Sequence, residues 1–487
     1  MRAISGPALR LVAGRTVGFV AAFAIPVVLA RVFDKSAFGT YKQLFLVYTT
    51  LYGLAQLGLA ESLYYFIPRK PGEAGRRACN AIVTLAVVGI SCFALLRWGR
   101  NGIATWLANP ELASGLPLIG LFLAFALTSA VFEIIMVSRK EHAKAALVYA
   151  GSDVVRTALF VVPALAMWGL QGVLIGAVTF AGLRVAAMLV YVWREFGRGL
   201  RIDAALWRDQ LGYALPFALA VGIEVVQANY HQYVVASHFD AATFAIYAVG
   251  CLQIPLVDLM STSTANVMMV RMAEEAAAGQ SHDALTLWHD TTCQLATLMF
   301  PLAAVLLLTA HGIIVTLFTS AYAASVPIFM IWCLMILPSA FAVDAVLRVY
   351  AQTRFLLGMN VLRLALIMLL IGWCLSTFGM VGAVLVTLFG TGVIKALGIV
   401  RIARVMNVGL AEVLPWGRLA AITLRTIAAA VPAYGISRGL TAGPLVLAIV
   451  TGAVYAAAFA ALWYGSIWWQ HAGVLAPFTA LSESPTE

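Results

Sequence analysis

Charge is what this chain has least of. Only 11% of its 487 residues are Asp, Glu, Lys or Arg, against about 25% in an ordinary soluble domain. So little polar surface cannot cover a core of this size in water, and a soluble globule is excluded. Cysteine is sparse too. The six (Cys79, Cys92, Cys251, Cys293, Cys333 and Cys374) lie in or beside apolar runs, and no two are spaced as metal ligands. That argues against a zinc module and a disulfide framework and leaves small buried hydrophobes. Also missing are a glycine-rich phosphate loop and any nucleophile–base motif, so no covalent catalysis and no cofactor are expected.

What is present is apolar length. Hydrophobic residues make up 62% of the chain and the mean hydropathy is +0.94. The runs recur at roughly 20 residues, the length a helix needs to cross a hydrocarbon core of about 30 Å. Gly and Pro sit inside them, as membrane helices tolerate. Spans are predicted at 11–30, 44–67, 78–96, 116–137, 145–168, 174–193, 212–235, 242–269, 290–310, 325–347, 355–375, 380–400, 419–437 and 443–467. The expected fold is therefore all-α and integral to a membrane, with about fourteen transmembrane helices. Arg10 and Arg15 interrupt the first run and no clear cleavage site follows, so that run is read as a retained span.

Basic residues test the count, because cytoplasmic loops carry an excess of Lys and Arg. With the N-terminus placed in the cytoplasm, inward segments collect nineteen of the 31, from Arg69-Lys70 and Arg76-Arg77 to Arg401, Arg404 and Arg418. Outward segments collect six: Arg31, Lys35, Lys42, Arg97, Arg100 and Arg438. The net charge of +10 thus reads as topology and contact with anionic membrane lipids, with no nucleic-acid footprint. Both termini are expected in the cytoplasm. The connection 270–289, with Glu274, Glu275 and an alanine run, is expected to form a helix beside the membrane.

An internal repeat is legible. After the first span come Phe33-Asp34, Phe38 and Tyr41, and after the seventh come Phe239-Asp240, Phe244 and Tyr247, all at an offset of 206. Both copies fall at outward-facing turns that open a new span. A shift of six spans preserves membrane orientation, so parallel repeats are expected. The predicted organisation is an N-lobe over 1–200, a C-lobe over 201–405, two extra spans over 406–470 and a cytoplasmic tail over 471–487. The six-helix lobes would be related by pseudo-two-fold symmetry and face each other across a cavity.

The stretch Leu29-Ala30-Arg31-Val32-Phe33-Asp34, with Phe38-Gly39-Thr40-Tyr41, Leu57-Gly58-Leu59 and Tyr65-Phe66-Ile67-Pro68 downstream, resembles the N-terminal signature of polysaccharide-biosynthesis flippases. These belong to the multidrug/oligosaccharidyl-lipid/polysaccharide (MOP) exporter superfamily, and the resemblance implies a MATE-like arrangement of the two six-helix lobes. Phe33 stands where the family pattern has a Leu. Leu317 to Ala324 is a second family-like turn, with Thr319 or Ser320 where the family commonly has Gly. The resemblance implies a transporter of the bacterial inner membrane that moves a polyprenyl-pyrophosphate-linked oligosaccharide outward by alternating access. It also implies service to lipopolysaccharide or exopolysaccharide synthesis, beside a polysaccharide polymerase and a chain-length regulator.

Ionisable residues at bilayer depth are costly and mark function or pairing. In the seventh span Glu224, Gln227, Tyr230 and His231 share a helical stripe, and Asn229 lies beside them. In the eighth stands Asp258. For a pyrophosphate, fixed cations are needed, and Arg15, Arg184 and Arg363 are the candidates, with Arg425 behind them. Gln227, Asn229, Tyr230 and His231 could meet sugar hydroxyls. Glu224, Asp258 and Asp153 are the candidates for ion coupling. Set beside these, Asp153 and Arg156 could neutralise each other, Arg15 could snorkel to lipid phosphate, and Glu224 and Asp258 could be interhelical hydrogen bonds. Glu61, Glu133, Asp344 and Lys395 are read as interfacial. Three other functions stay open. One is a small-molecule drug antiporter, one a lipid-linked peptidoglycan-precursor flippase, and one a membrane polymerase or ligase. The outward loop 97–115 offers no catalytic constellation for the last.

Overall fold

The computed structural model describes residues 21–277 and 281–479. Among them the regular structure is helical throughout, with no strand. Twelve segments are long and apolar enough to cross a membrane, and each overlaps one predicted span, from Lys35–Arg69 to Pro444–Gly465. The chain is a multi-pass membrane protein. Two further apolar helices are shorter, α1 (Ala21–Val32) and α11 (Ala241–Gly250). The first predicted span, 11–30, lies half outside the described residues. The eighth, 242–269, is broken: α11 ends at Gly250, residues 251–254 are non-helical, and α12 runs from Pro255 to Ala277. Proline lacks a backbone N–H and disfavours helix in the residue before it, which accounts for a break at this point. The described residues of 270–289 are helical as extensions of the neighbouring helices, α12 continuing to Ala277 and α13 beginning at Ser281.

The chain divides into two compact units, residues 1–248 and 249–487. In the first, α2 (Lys35–Ala55) begins where Asp34 accepts the Ala37 N–H at 3.1 Å, an N-cap that satisfies one orphan donor. It stops at Leu57 and Gly58, both with positive φ, and α3 (Leu59–Arg69) completes the span. Gly58 is needed there on two counts, a left-handed backbone and the close approach of Ala214. Next come α4 (Ala74–Trp98), α5 (Arg100–Trp106) and α6 (Leu112–Thr128). A 3₁₀ turn over Ser129–Val131 then separates α6 from α7 (Phe132–Ser138). The helices α8 (His142–Leu165) and α9 (Gly169–Phe196) form a hairpin turning at Met167 and Gly169.

The 35 residues of α10 (Ala204–His238) would span about 52 Å as ideal helix, more than the hydrocarbon core. It packs along α2, α3 and α4. Buried Leu63, Ala78, Leu85, Ile135 and Met188 form the core of this unit, while Val87, Ile90, Leu147 and Val162 face outward, as lipid-facing residues do.

In the second unit the 38-residue α13 (Ser281–Phe318) is the central post. Against it pack α12, α14 (Val326–Leu334), α15 (Ile336–Ser339), α19 (Trp416–Gly439) and α20 (Pro444–Thr479). After α15 the chain is non-helical over 340–342 and resumes as α16 (Val343–Val349). The hairpin of α17 (Thr353–Phe378) and α18 (Met380–Met406) turns at Gly379. Buried Ala429, Ala433 and Tyr455 pack with Val305 and Leu308, so the last two spans dock on α13.

Candidate binding site

In the first unit, one face of α2 carries Tyr41, Phe45, Tyr48 and Tyr52, spaced so that they stack along the helix. Tyr41 and Phe45 have ring centroids 4.5 Å apart, and Tyr48 and Tyr52 5.6 Å. Phe122 on α6 lies 4.6 Å from Tyr48, and Phe160 on α8 lies 5.7 Å from Phe45. Beside this ladder sit the charges. Arg184 on α9 donates from Nη2 to Glu133 Oε2 at 2.5 Å and from Nη1 to Ser152 Oγ at 3.2 Å. Tyr52 is within electrostatic reach of Arg184, Glu61 and Glu133, and Tyr48 of Arg156 and Arg184. Glu133 is 2% exposed. Its Oε1 has no hydrogen-bond partner among the described residues. An ion pair in so dry a place needs the tight, hydrogen-bonded geometry seen here. Asp153 and Arg156 pair at 2.8 Å one turn apart on α8.

The helix α10 is held at both ends. At its start Arg77, fully buried, donates to Glu73 at 2.7 Å and to Asp209 at 2.8 Å, with its guanidinium 3.9 Å from the Phe66 ring centre. Arg76 meets Asp203 at 2.9 Å, and Asn80 exchanges two hydrogen bonds with the Asp203 backbone at 2.9 and 3.0 Å. Asp203 caps α10, and the N–H groups of Leu206 and Ala205, together with Arg76, hold its carboxyl below the usual range. At the far end Gln43 donates to Leu107 O and Ala236 O, both at 3.3 Å, and accepts from Asn109 at 2.7 Å. By the 206-residue repeat α10 would open the second half. By contact it groups with the first unit.

The sequence-predicted residues fall as follows. Arg15 lies outside the described residues. Gln227 and His231 are buried on α10, and His231 Nδ1 lies 2.6 Å from the Tyr247 hydroxyl. Asn229 donates to Val225 O at 3.1 Å on its own helix, Tyr230 is half-buried, and Glu224 is exposed. Asp258 is exposed on α12 and lines a cavity of about 190 Å³ with Gln253, Ile254, Trp332 and Ser339. Arg363 is half-buried on α17, its stem packed near Gly390 of α18. Of the predicted set, Asp153 is paired with Arg156 on α8, and Arg184 stands beside the tyrosine ladder. Glu133, Ser152, Tyr48 and Tyr52 belong to that place and are not among the predicted site residues. The ladder is readable in the sequence as aromatics at i, i+4, i+7 and i+11. Glu133 reads as interfacial because it lies near the end of its span, yet it is buried.

The architecture is an all-α bundle of membrane-spanning helices with polar and charged side chains buried within it. Over residues 8–250 the chain belongs to the polysaccharide biosynthesis protein family. Its fold is similar to that of the lipid II flippase MurJ in an inward closed conformation. The TM-score is 0.69 at 12% identity, covering 93% of this chain and 99% of that one. It is also similar to an inward-facing multidrug resistance MATE family transporter of the MOP superfamily, with TM-score 0.61, 13% identity and coverage of 80% and 96%. A third likeness is to a MOP superfamily transporter from Pyrococcus furiosus, with TM-score 0.57, 13% identity and coverage of 82% and 94%. No curated protein is a significant sequence match.

Proposed function

We propose that the protein is a flippase of the bacterial inner membrane. It carries a polyprenyl-pyrophosphate-linked oligosaccharide from the cytoplasmic to the outer face by alternating access, for surface or exopolysaccharide synthesis. One observation carries this reading: a half-buried, oriented arginine, Arg184, beside a ladder of tyrosines within the half that matches the polysaccharide biosynthesis family. A planar guanidinium suits phosphate oxygens, and tyrosine offers an apolar face and a hydroxyl to a sugar. Arg15 and Arg363 are proposed as further cations, and Gln227, Asn229, Tyr230 and His231 as sugar contacts. Asp153, Glu224 and Asp258 are proposed for ion coupling. Both termini are proposed to be cytoplasmic, and a polymerase and a chain-length regulator to be partners.

The test is movement of a fluorescent polyprenyl-pyrophosphate oligosaccharide across proteoliposomes, with wild type, Arg184→Gln and Tyr52→Ala. Wild type is expected to flip it and Arg184→Gln to fail. Because Arg184→Gln also strands the buried Glu133, the double variant Glu133→Leu with Arg184→Met serves as the control, expected to melt as wild type and still not flip. Wild type without activity under any ion gradient refutes the reading. A second reading, flipping of a lipid-linked peptidoglycan precursor, is favoured by the extent of the MurJ likeness. Supplying that lipid as a competitor decides between the two. Drug export fits less well, since a cationic drug would meet Arg184.

A further inference from the structure

Two carboxylate–cation pairs on the apolar spans share one backbone setting, although the Glu133 side chain is 3% exposed and that of Asp344 56%. In the first unit Glu133 is the second residue of α7, the short helix that resumes its span after the 3₁₀ turn at Ser129–Val131. It meets Arg184 on α9 at 2.5 Å. In the second unit Asp344 is the second residue of α16, the short helix that resumes its span after the break at 340–342. It meets Lys395 on α18 at 3.3 Å, and the same ammonium donates to Phe341 O at 3.2 Å. The partners are 51 residues apart in both cases, so one shift of 211 carries Glu133 onto Asp344 and Arg184 onto Lys395.

Coincidence is the alternative, and the backbone speaks against it. The same shift carries the start of α8, His142, onto the start of α17, Thr353. It carries Lys140, at φ +65°, onto Ala351, at φ +54°. Positive φ is uncommon outside glycine, so a matching pair at this register is informative. The shift is five longer than the 206 of the Phe-Asp turns, as an insertion between those turns and Asp344 would make it.

The cations are alike in another respect. Arg184 and Lys395 are each 20% exposed. Each is held by a carboxylate on one side, with N–H capacity left over: Arg has five such donors and Lys three. A cation fixed in an apolar span but not fully covered is set up to receive an anion.

We propose that Lys395 is the second-unit counterpart of Arg184, and that each unit holds its own site for a phosphate oxygen of an anionic head group. Glu133 and Asp344 act as positioning residues that orient the cation and cancel its charge while the site is empty. This rests on the flippase reading above.

The probe is farnesyl diphosphate titrated into purified protein by calorimetry, alongside flipping in proteoliposomes. Lys395→Gln is expected to bind at least about tenfold more weakly, the effect of losing one charge-assisted hydrogen bond, and Lys395→Arg to bind as wild type. The exchanged variant, Lys395→Asp with Asp344→Lys, keeps the ion pair but moves the cation to α16. A mere brace predicts that the exchange restores melting temperature, binding and flipping together. An anion site predicts that only the melting temperature returns. Full recovery of binding in the exchange, or wild-type binding by Lys395→Gln, overturns the proposal while Arg184→Gln still tests the flippase reading. Failure of wild type to bind the diphosphate at all sinks both.

Discussion

Arg77 on α4 reaches Asp209 on α10 at 2.8 Å although 132 residues of chain separate them. Arg77 is wholly buried and also grips Glu73 at 2.7 Å, so one guanidinium ties the start of α10 to the helices it packs on.

Removing that tie should loosen the first unit. Breaking a buried pair leaves charges without partners and costs about 3–5 kcal/mol. Asp209 is half exposed, so water would recover part of that, and Arg77→Ala should cost about 2–3 kcal/mol. Thermal melting in detergent measures it, with Arg77→Lys as the milder change that loses the forked geometry. A melt unchanged in Arg77→Ala would mean the contact is not formed in solution.

The two Phe-Asp turns meet each other at Gly39. A Cβ added there would fall on the backbone carbonyl of Ala241, which cannot swing away as a side chain would. Gly39→Ala should therefore destabilise by about 1–3 kcal/mol, the cost of overpacking. Gly102→Ala is the control, since nothing lies near that Cβ position. Equal melting temperatures for the two variants would show that the turns part in solution.

These turns show how far the sequence can be read. Phe33-Asp34 and Phe239-Asp240 are visible because an aspartate before a helix caps it, and both do: Asp34 accepts from Ala37, and Asp240 from the Thr243 N–H at 2.9 Å. The helices that follow are visible because hydropathy reports length. What hydropathy averages over is interruption. Pro255 marks the break after α11, but the apolar residues on both sides conceal it. Pairing is hidden for a further reason. Glu133 and Arg184 are joined by a packing of α7 on α8 and of α8 on α9 that no local pattern encodes, and each read alone is a lone charge. The equal spacing of 51 is present in the sequence but means nothing until contact selects those four residues among all the charges.

Stability should also carry an acid-side signature from the loops. The carboxyls of Asp203 and Asp240 are held below their ordinary value, the first by the Leu206 and Ala205 N–H groups and Arg76, the second by Thr243. A folded-state pKa below the unfolded one means the unfolded chain binds more protons as pH falls. The stabilisation is therefore complete above the unfolded value of about 4 and is lost below it. Melting temperature should drop as pH falls from about 5 to 3. Asp203→Asn keeps an acceptor for the cap but lacks the titrating charge, so its acid slope should be shallower. Parallel slopes would place the acid sensitivity elsewhere.

The pair Glu133–Arg184 allows fold and function to be separated. Glu133→Leu alone strands a charge that is only 20% exposed, and should cost about 2–4 kcal/mol. Adding Arg184→Met removes that charge as well. Replacing both members of a buried pair with apolar groups of similar size is often neutral or stabilising, so the double variant should melt within about 1 kcal/mol of wild type. Flipping should not return with it, because the cation proposed to hold the pyrophosphate is gone. A brace and a binding group thus diverge in one variant. If the double variant both melts and flips like wild type, Arg184 only balances Glu133, and the cation for the head group must be sought elsewhere in the chain.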